Sequence, residues 1–302
     1  MTAPILVLGV SGQLAAALAE AAPARGLAVD CVGRPGLDFN RPESVREIFA
    51  ASAPPLVINA AAYTAVDAAE DDAAAAFRAN HEGPRELARL CEAAGIPLIH
   101  VSTDYVFDGL KGAPYVETDS VAPQGVYGAS KLAGEQAVLD ECSRGIVART
   151  SWLYSPTGTN FVRTMLAAGQ RHRHLRVVAD QWGCPTSAPD LAQATLGIAA
   201  RLTNDGWQSR YAGVYHAAGT GAATWHELAT ATFAAAARYG VEVPTIAPIA
   251  TDEWPTRAKR PADSRLDCGK FAAVFGLRLP PWQDGLARTV EAIFAAHALS
   301  RA

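Results

Sequence analysis

The sequence predicts an α/β protein that has a doubly wound parallel sheet and a smaller C-terminal lobe. Three observations lead to this fold class: short apolar runs, helical stretches between them, and a change of composition in the last third. The runs have the length and composition of buried strands, and they lie at 5–9, 27–33, 55–59, 97–102, 145–150 and 175–180. Because these runs alternate with alanine-rich helical patterns, we expect a parallel sheet covered by helices on both faces.

The last third of the chain is predicted to form the smaller lobe. It is rich in proline, tryptophan and loop residues, and its pattern predicts helices near 224–239 and 282–298. We expect residues 1–150 to form the sheet domain and residues 151–302 to form mainly the lobe. A later segment, about 175–220, is expected to return to the sheet.

Charge and composition exclude one broad class of function. The 302 residues carry a formal net charge of −4, whereas a general nucleic-acid binder needs clustered lysine and arginine to neutralise phosphates. The only dense basic stretch is RHRHLR at residues 171–176, and we predict that it is a helix end running into a strand. We therefore expect no nucleic-acid partner.

The five cysteines and the N-terminal residues bear on the cellular compartment. The count is odd, and the sequence has no C-x-x-C motif and no Cys/His cluster with zinc spacing, so we expect free thiols. The first apolar run is short and is preceded by no basic residue, and no run is long enough to span a membrane. We therefore expect a cytoplasmic protein with no membrane partner.

The stretch LGVSGQLAAAL at residues 8–18 is the first candidate functional motif. Gly9 and Gly12 follow a predicted strand, and Ala15 stands where a third glycine would complete a dinucleotide fingerprint. The first glycine permits a tight turn, the second lets a pyrophosphate approach backbone N–H groups, and alanine can replace the third. The motif alone leaves two interpretations open, a nucleotide-binding loop and an ordinary strand-to-helix turn.

The exit of the second predicted strand bears on the choice of nucleotide. Arg34 lies there, and an arginine at this point accommodates the 2′-phosphate of NADP, whereas an acid binds the ribose of NAD. Asp30 lies too early in the strand to be that acid. We therefore expect NADPH as the cofactor, with NADH possible. A solvated arginine in a turn is the alternative.

The stretch YGASK places Tyr127 and Lys131 on one face of a predicted helix. A nearby ammonium lowers the pKa of a phenol, and such a tyrosine can protonate a carbonyl oxygen as hydride reaches its carbon. Upstream, VSTDYVFDG follows a strand, and Thr103 can donate a hydrogen bond to the same oxygen. The alternatives are a surface helix pair and, for Thr103 and Asp104, a turn or helix cap. Finding all three features in this order favours the catalytic interpretation.

With these motifs the chain resembles the extended short-chain dehydrogenases/reductases, and within them the dTDP-4-dehydrorhamnose reductase family. The resemblance covers nearly the whole chain, and its more specific stretches are RTSWLY, NFVRTML, DQWGCPTSAPDLA, YHAAGTGAATWHELA and RPADSRLD. It implies a Rossmann-type NAD(P)-binding domain with a smaller C-terminal substrate-binding domain. It also implies a dTDP-sugar substrate, with reduction of the 4-keto group of dTDP-4-dehydro-β-L-rhamnose. The product would serve the synthesis of cell-surface polysaccharide.

The resemblance further implies roles for individual residues. Tyr127 would be the catalytic acid, Lys131 would hold the nicotinamide ribose and lower the pKa of Tyr127, and Thr103 would tune the tyrosine. The cofactor-binding residues would be Gly9, Gly12, Gln13, Leu14, Arg34, Asp38, Phe39, Ala61, Ala62, Tyr63 and Lys131. The substrate-binding residues would be Thr103, Asp104, Trp152 and Arg260. Without the resemblance, Trp152 is predicted to be an aromatic residue of the core. Packing and capping roles are predicted for Trp182, Trp225, His216 and His226.

Two other functions stay open at this point. A nucleotide-sugar epimerase or dehydratase is one, but a dehydratase needs a carboxylate pair beside Thr103, and TDY offers Asp104 without an adjacent glutamate. A non-catalytic relative, such as the regulatory β subunit of methionine adenosyltransferase, is the other. The presence of Thr103, Tyr127 and Lys131 together favours an enzyme.

The sequence also bears on metal binding and assembly. A hard divalent cation needs several oxygen ligands, yet the first helix offers only alanines at 15–17, and Asp190 stands alone after the GCPT stretch. We therefore expect no metal, and either a monomer or a weak, metal-independent homodimer.

Overall fold

The computed structural model describes residues 3–299. Its strands are β1 (Ile5–Leu8), β2 (Val29–Val32), β3 (Val57–Asn59), β4 (Leu98–Thr103), β5 (Gly145–Thr150), β6 (Leu153–Tyr154), β7 (His174–Val178), β8 (Trp182–Gly183), β9 (Thr186–Ser187), β10 (Gly213–His216), β11 (Ala223–Thr224) and β12 (Thr245–Ile249). Its helices are α1 (Gln13–Ala21), α2 (Pro42–Ser52), α3 (Val66–Ala69), α4 (Ala73–Phe77), α5 (Gly83–Ala94), α6 (Val126–Glu141), α7 (Phe161–Gly169), α8 (Ala188–Asp205), α9 (Trp225–Ala236), α10 (Gly269–Phe275) and α11 (Trp282–Leu299). A π-helical segment, Arg78–Glu82, joins α4 to α5.

The central sheet confirms the predicted fold class. Its six strands are parallel and follow the order β10-β5-β4-β3-β1-β2. Along β1, Ile5 and Val7 belong to one core cluster, whereas Leu6 and Leu8 belong to another. Helices α1, α8 and α10 contribute to the first cluster, and α2, α5 and α6 contribute to the second. The sheet is therefore covered on both faces, which explains why its inner strands β1, β3, β4 and β5 are buried and largely apolar.

One predicted strand does not belong to this sheet. The run at 175–180 forms β7, which pairs in parallel with β12 in a separate two-stranded sheet, and the sixth central strand is β10 instead. The physical reason lies in the burial pattern of β7, where Leu175 and Val177 are buried while His174 and Arg176 are exposed. Such alternation is typical of a strand with one solvated face. The predicted passage of 171–176 from a helix end into a strand is confirmed by α7 and β7.

The smaller lobe has its own apolar cluster. Helices α7, α9 and α11 supply most of it, through side chains such as Leu166, Phe233 and Val290. The predicted helices near 224–239 and 282–298 are confirmed by α9 with the 3₁₀ turn that follows it, and by α11. Residues 1–2 and 300–302, which the sequence analysis assigned to the sheet domain and the lobe, lie outside the described residues.

The helices within residues 3–299 include no candidate membrane span. None of the helices there combines the length and the hydropathy that crossing a bilayer requires.

Helix α6 lies very close to the π-helical segment. A Cβ atom added at Gly134 would come within 2.0 Å of the backbone oxygen of Asn80. Backbone on both sides of a contact has little freedom to move apart, so this position admits only glycine.

We expect Gly134→Ala to lower the free energy of unfolding by more than about 2 kcal/mol, because overpacking against backbone outweighs the better helix propensity of alanine. Gly26→Ala is the matched control. Gly26 has a φ of +66° with nothing within 4 Å of an added Cβ, so it should lose only about 1 kcal/mol. Chemical denaturation measures the free energy of unfolding of both variants. Equal losses in the two variants would contradict the close approach of α6 to the π-helical segment.

Candidate active site

A cleft of about 880 Å³ opens at the carboxyl ends of the central strands. It lies between β1 and β3, where the strand order reverses, and open α/β sheets bind their ligands at such a point. All of the site residues selected from the sequence line it: Gly9, Gly12, Gln13, Leu14, Arg34, Asp38, Phe39, Ala61, Ala62, Tyr63, Thr103, Asp104, Tyr127, Lys131, Trp152 and Arg260. Residues far apart in the chain therefore share one site.

The glycine-rich turn leaves backbone exposed to the cleft. Gly9 has a φ of +123°, which other residues rarely adopt, and an added Cβ would lie 3.1 Å from that of Ala15. Gly12 is the N-cap of α1, no side chain caps the helix there, and nothing lies within 4 Å of an added Cβ. The N-terminal N–H groups of α1 are thus available to an anion in the cleft.

Arg34 and Asp38, two charged residues predicted to bind the cofactor, both lie in the turn after β2. The Asp38 carboxylate accepts hydrogen bonds from the backbone N–H of Asn40 at 3.0 Å and from its side-chain amide at 2.9 Å. These bonds, together with the nearby Arg34 and Arg41, hold the pKa of Asp38 below its usual range. Arg34 is exposed on the rim of the cleft.

Asp104 is a buried carboxyl group that accepts three hydroxyl hydrogen bonds. Its oxygens accept from Thr103 at 3.1 Å, from Ser151 at 2.9 Å and from Ser264 at 2.5 Å. Burial raises the pKa of Asp104 to about 6, although the three hydroxyls oppose this shift. The Thr103 hydroxyl also accepts from the N–H of Tyr105 at 3.2 Å, so the capping role and the place in the cleft coexist.

Helix α6 presents Tyr127 and Lys131 to the same part of the cleft. An added Cβ at Gly128 would lie 2.2 Å from the backbone oxygen of Tyr105, so the helix packs directly on the turn after β4. The Tyr127 ring meets the Tyr105 ring edge to face at 5.8 Å. The Lys131 ammonium donates to the backbone oxygen of Val101 at 2.6 Å, and the residue is only 2% exposed.

Burial shifts the pKa of both α6 residues. It lowers the pKa of Lys131 from 10.5 to about 8, and the Glu135 carboxylate one turn further along α6 opposes the shift. The resemblance implied a lowered pKa for Tyr127, but in this structure burial raises it, the Thr103 hydroxyl opposes, and the charge of Asp104 adds to the rise. The phenol of Tyr127 therefore keeps its proton at neutral pH.

Asn80, which was not predicted from the sequence, connects Tyr63 in the loop after β3 to α6. Its side-chain oxygen accepts from the N–H of Tyr63 at 2.8 Å, and its amide donates to the Tyr63 carbonyl and to the Ser130 hydroxyl, both at 3.0 Å. Asn80 is fully buried. The only signal in the sequence is a polar residue inside a helical pattern, which does not reveal a distant partner.

The lobe contributes aromatic rings and one cation to the cleft. The indole of Trp152 stacks on that of Trp225, with centroids 3.5 Å apart and planes 5° apart. Trp225, predicted as a packing residue, therefore both packs and lines the cleft. Arg260 donates to Asp67 on α3 at 2.9 Å.

The two histidines singled out from the sequence pack as predicted. His216 is fully buried, with Nδ1 at 3.0 Å from the Tyr115 carbonyl, and His226 meets the Ile246 carbonyl at 3.1 Å.

A Rossmann-type sheet with Thr103 at the end of β4, and with Tyr127 and Lys131 on α6 lining the same cleft, is the arrangement of an oxidoreductase of the extended short-chain dehydrogenase/reductase class. Residues 2–294 match the family model described as RmlD substrate binding domain. A dTDP-4-dehydrorhamnose reductase of Sinorhizobium fredii is 41% identical over 290 residues, 96% of this chain and 97% of that protein. The Escherichia coli K12 protein of the same name is 37% identical over 304 residues, 98% and 99% of the two chains. The chain belongs to the dTDP-4-dehydrorhamnose reductase family.

Solved structures agree with this assignment. A dTDP-4-dehydrorhamnose reductase from Clostridium acetobutylicum has a TM-score of 0.88 and 33% identity, covering 96% of this chain and 99% of that one. The Bacillus anthracis enzyme, solved in complex with NADP, has a TM-score of 0.86 and 34% identity with the same coverage. A UDP-glucose 4-epimerase from Thermus thermophilus, at 22% identity and a TM-score of 0.78, shares the fold.

We expect Asn80→Ala to speed amide hydrogen exchange at residues 61–64 and to lower the free energy of unfolding by about 1–3 kcal/mol, because it leaves buried backbone groups unpaired. Asn40→Ala is the control, since Asn40 is exposed although it too makes hydrogen bonds. Hydrogen-exchange mass spectrometry measures the amide exchange rates at residues 61–64. Equal exchange at 61–64 in both variants would show that Asn80 does not hold it.

Proposed function

We propose that this enzyme reduces the 4-keto group of dTDP-4-dehydro-β-L-rhamnose to give dTDP-β-L-rhamnose, with NADPH as the reductant and Tyr127 as the proton donor. The product is an activated rhamnose donor for cell-surface polysaccharide. The observation that carries the proposal is the convergence of Thr103, Tyr127 and Lys131 in one cleft of a chain whose relatives bear this reductase name.

The residues of the cleft suit a dinucleotide. The open N-terminus of α1 at Gly12 suits a pyrophosphate, and Gln13 and Leu14 follow it. Asp38 and Phe39 line the cleft after β2, and we propose that they contact the adenine. Arg34 on the rim suits a 2′-phosphate, and the Bacillus anthracis relative was solved with NADP. We therefore infer a preference for NADPH, with NADH usable.

When bound, the cofactor supplies the hydride, and the protein has to supply a proton. Tyr127 is suited to this task because burial raises the pKa of its phenol and keeps it protonated. The neighbouring Thr103 hydroxyl is placed to share the developing negative charge on the substrate oxygen. Lys131 would orient the nicotinamide ribose and favour the phenolate once the proton has left.

The lobe side of the cleft suits a sugar nucleotide. Arg260 projects into the cleft and is held by Asp67, and its guanidinium can pair with a diphosphate through two parallel hydrogen bonds. Trp152 borders the cleft and offers an apolar indole surface to the sugar. Asp104 also lines the cleft, where hydrogen bonds from Ser151 and Ser264 hold its carboxyl group, and we propose that it contacts the sugar nucleotide.

We propose that the reaction needs no metal. Asp190, the carboxylate that follows the GCPT stretch, is bound by Arg288 through both oxygens, at 2.7 and 2.8 Å. Within residues 3–299 no cluster of three or more His, Cys, Asp or Glu side chains has the arrangement of a metal site. We propose a monomer or a weak homodimer that does not depend on Mg²⁺.

The other candidate functions have less support. A dehydratase needs a carboxylate pair beside Thr103, and Tyr105 follows Asp104 there. The likeness to the epimerase is one of fold alone at its level of identity. A binding protein without activity would not need a buried lysine beside a protonated tyrosine.

The wild-type enzyme is expected to oxidise NADPH only when dTDP-4-dehydrorhamnose is present. Tyr127→Phe should lower kcat by roughly 10²–10⁴-fold, the usual contribution of a general acid, and leave NADPH affinity nearly unchanged. Tyr239→Phe is the control, because Tyr239 is exposed in the lobe and does not line the cleft. A full kcat in the Tyr127 variant would rule out its role as proton donor.

Arg34→Ala should raise the KM for NADPH and leave the KM for NADH nearly unchanged, because only NADPH carries the 2′-phosphate. Arg41→Ala, a neighbouring exposed arginine that does not line the cleft, serves as the control. Steady-state kinetics with each cofactor measures the effect. Equal loss with both cofactors would show that Arg34 does not read the phosphate.

The rate should fall as the pH rises through about 8, because Lys131 then loses its charge. Loss of the Lys131 proton lowers the rate but raises the free energy of unfolding. The folded pKa lies below the unfolded value of 10.5, so between about 8 and 10.5 the unfolded chain binds more protons and Lys131 contributes increasing stability. A pH–rate profile with parallel melting curves separates loss of charge from unfolding. A rate that stays level up to pH about 10 would contradict the assignment.

A further inference from the structure

Trp152 has an uncommon backbone conformation for a large side chain. Its φ is +45°, and Ala53 is the only other non-glycine residue with a positive φ in the described part of the chain. A bulky residue stays in this region only where its surroundings determine its conformation more strongly than its own backbone preference does. The contacts of the Trp152 indole should therefore show what holds it.

Two neighbours hold the Trp152 ring. The Trp225 indole lies parallel to it, with centroids 3.5 Å apart and an interplanar angle of 5°. At Gly183 on β8, an added Cβ would lie 2.3 Å from Cε2 of the Trp152 ring, so only glycine leaves room for the indole. The ring is thus confined by a stacking partner and by a residue without a side chain.

Trp225 is itself fixed by the lobe. It is the first residue of α9, directly after Thr224, whose hydroxyl accepts from the N–H of Glu227 while the Glu227 carboxylate accepts from the N–H of Thr224. The Trp225 indole N–H donates to the side-chain oxygen of Gln181 at 3.2 Å. The Phe161 ring packs against it at 4.6 Å. The stacking partner of Trp152 therefore has little freedom of its own.

From these contacts we propose that Trp225 is a positioning residue, which holds the Trp152 indole in place as the wall of the cleft that receives the sugar nucleotide. This inference rests on the proposed function, in which Trp152 contacts that substrate. The part of the indole that borders the cleft offers an apolar surface to a 6-deoxysugar, and a wall that is already in place loses less side-chain entropy when the substrate binds.

Trp225→Ala should weaken binding of the sugar nucleotide more than it slows the chemical step. We expect the KM for dTDP-4-dehydrorhamnose and the Kd for dTDP-rhamnose to rise roughly 3–10-fold, the range that the loss of one aromatic pair produces. The KM for NADPH should stay unchanged, because the stack lies on the lobe side. Trp225→Phe keeps a ring and should restore most of the affinity.

The stack can be followed without any ligand. Two parallel indoles couple electronically, so the near-ultraviolet circular dichroism of the wild type should carry a contribution that Trp225→Ala removes. Trp254→Ala is the matched control, because Trp254 is 56% exposed and does not line the cleft. Gly183→Ala would displace the Trp152 indole through the contact at Gly183 and leave the Trp225 side chain unchanged. This variant should also raise the KM for the sugar nucleotide.

The outcomes separate this inference from the proposed function. A wild type that binds dTDP-rhamnose, with unchanged affinity in Trp225→Ala despite loss of the stacking signal, would overturn the positioning role. Equal rises in the KM for NADPH and for the sugar nucleotide would overturn it as well, since they indicate general damage. If Trp225→Ala does not fold, Trp225→Phe and Gly183→Ala decide the question. A wild type without turnover of dTDP-4-dehydrorhamnose would overturn the proposed function itself.

Discussion

The arrangement of this active site depends on the hydrogen bond that the buried Lys131 side chain donates to the Val101 carbonyl. A charged group without a partner is costly to bury, and here the ammonium donates to the Val101 carbonyl on β4 and lies one helical turn from Glu135. Glu135 is bound in turn by Arg149 on β5, through nitrogens at 2.7–3.1 Å, with side chains only 2% and 5% exposed. The Lys131–Val101 hydrogen bond and the Glu135–Arg149 ion pair therefore tie α6 to β4 and β5, two adjacent central strands.

The same tie determines where Tyr127 lies. Gly128 and Gly134 let α6 approach the turn after β4 and the π-helical segment more closely than any side chain would allow. Tyr127, one turn before Lys131, consequently reaches the cleft beside Thr103, where burial keeps its phenol protonated. Charge pairing and close packing thus act on one helix, and the position of Tyr127 follows from both.

Local chemistry explains which parts of this arrangement could be predicted from the sequence. Tyr127 and Lys131 are recognisable because they are four residues apart on one helix, and Gly9 and Gly12 because they follow a strand. Asn80 and Trp225 were not predicted to serve the site, because their roles come from partners far away in the chain, Ser130 and Trp152. The run at 175–180 was assigned to the wrong sheet for a related reason: a short apolar segment shows that a strand forms but not which strand it pairs with.

The most direct measurement of the central claim is a crystal structure of this enzyme with NADP and dTDP-rhamnose bound together. The account predicts that the 4-hydroxyl oxygen of the sugar lies within hydrogen-bonding distance of Tyr127 Oη and the Thr103 hydroxyl, about 2.6–3.2 Å. It also predicts that the nicotinamide ribose contacts Lys131. A sugar bound with its 4-hydroxyl directed away from Tyr127, toward another acid or toward solvent, would contradict the account.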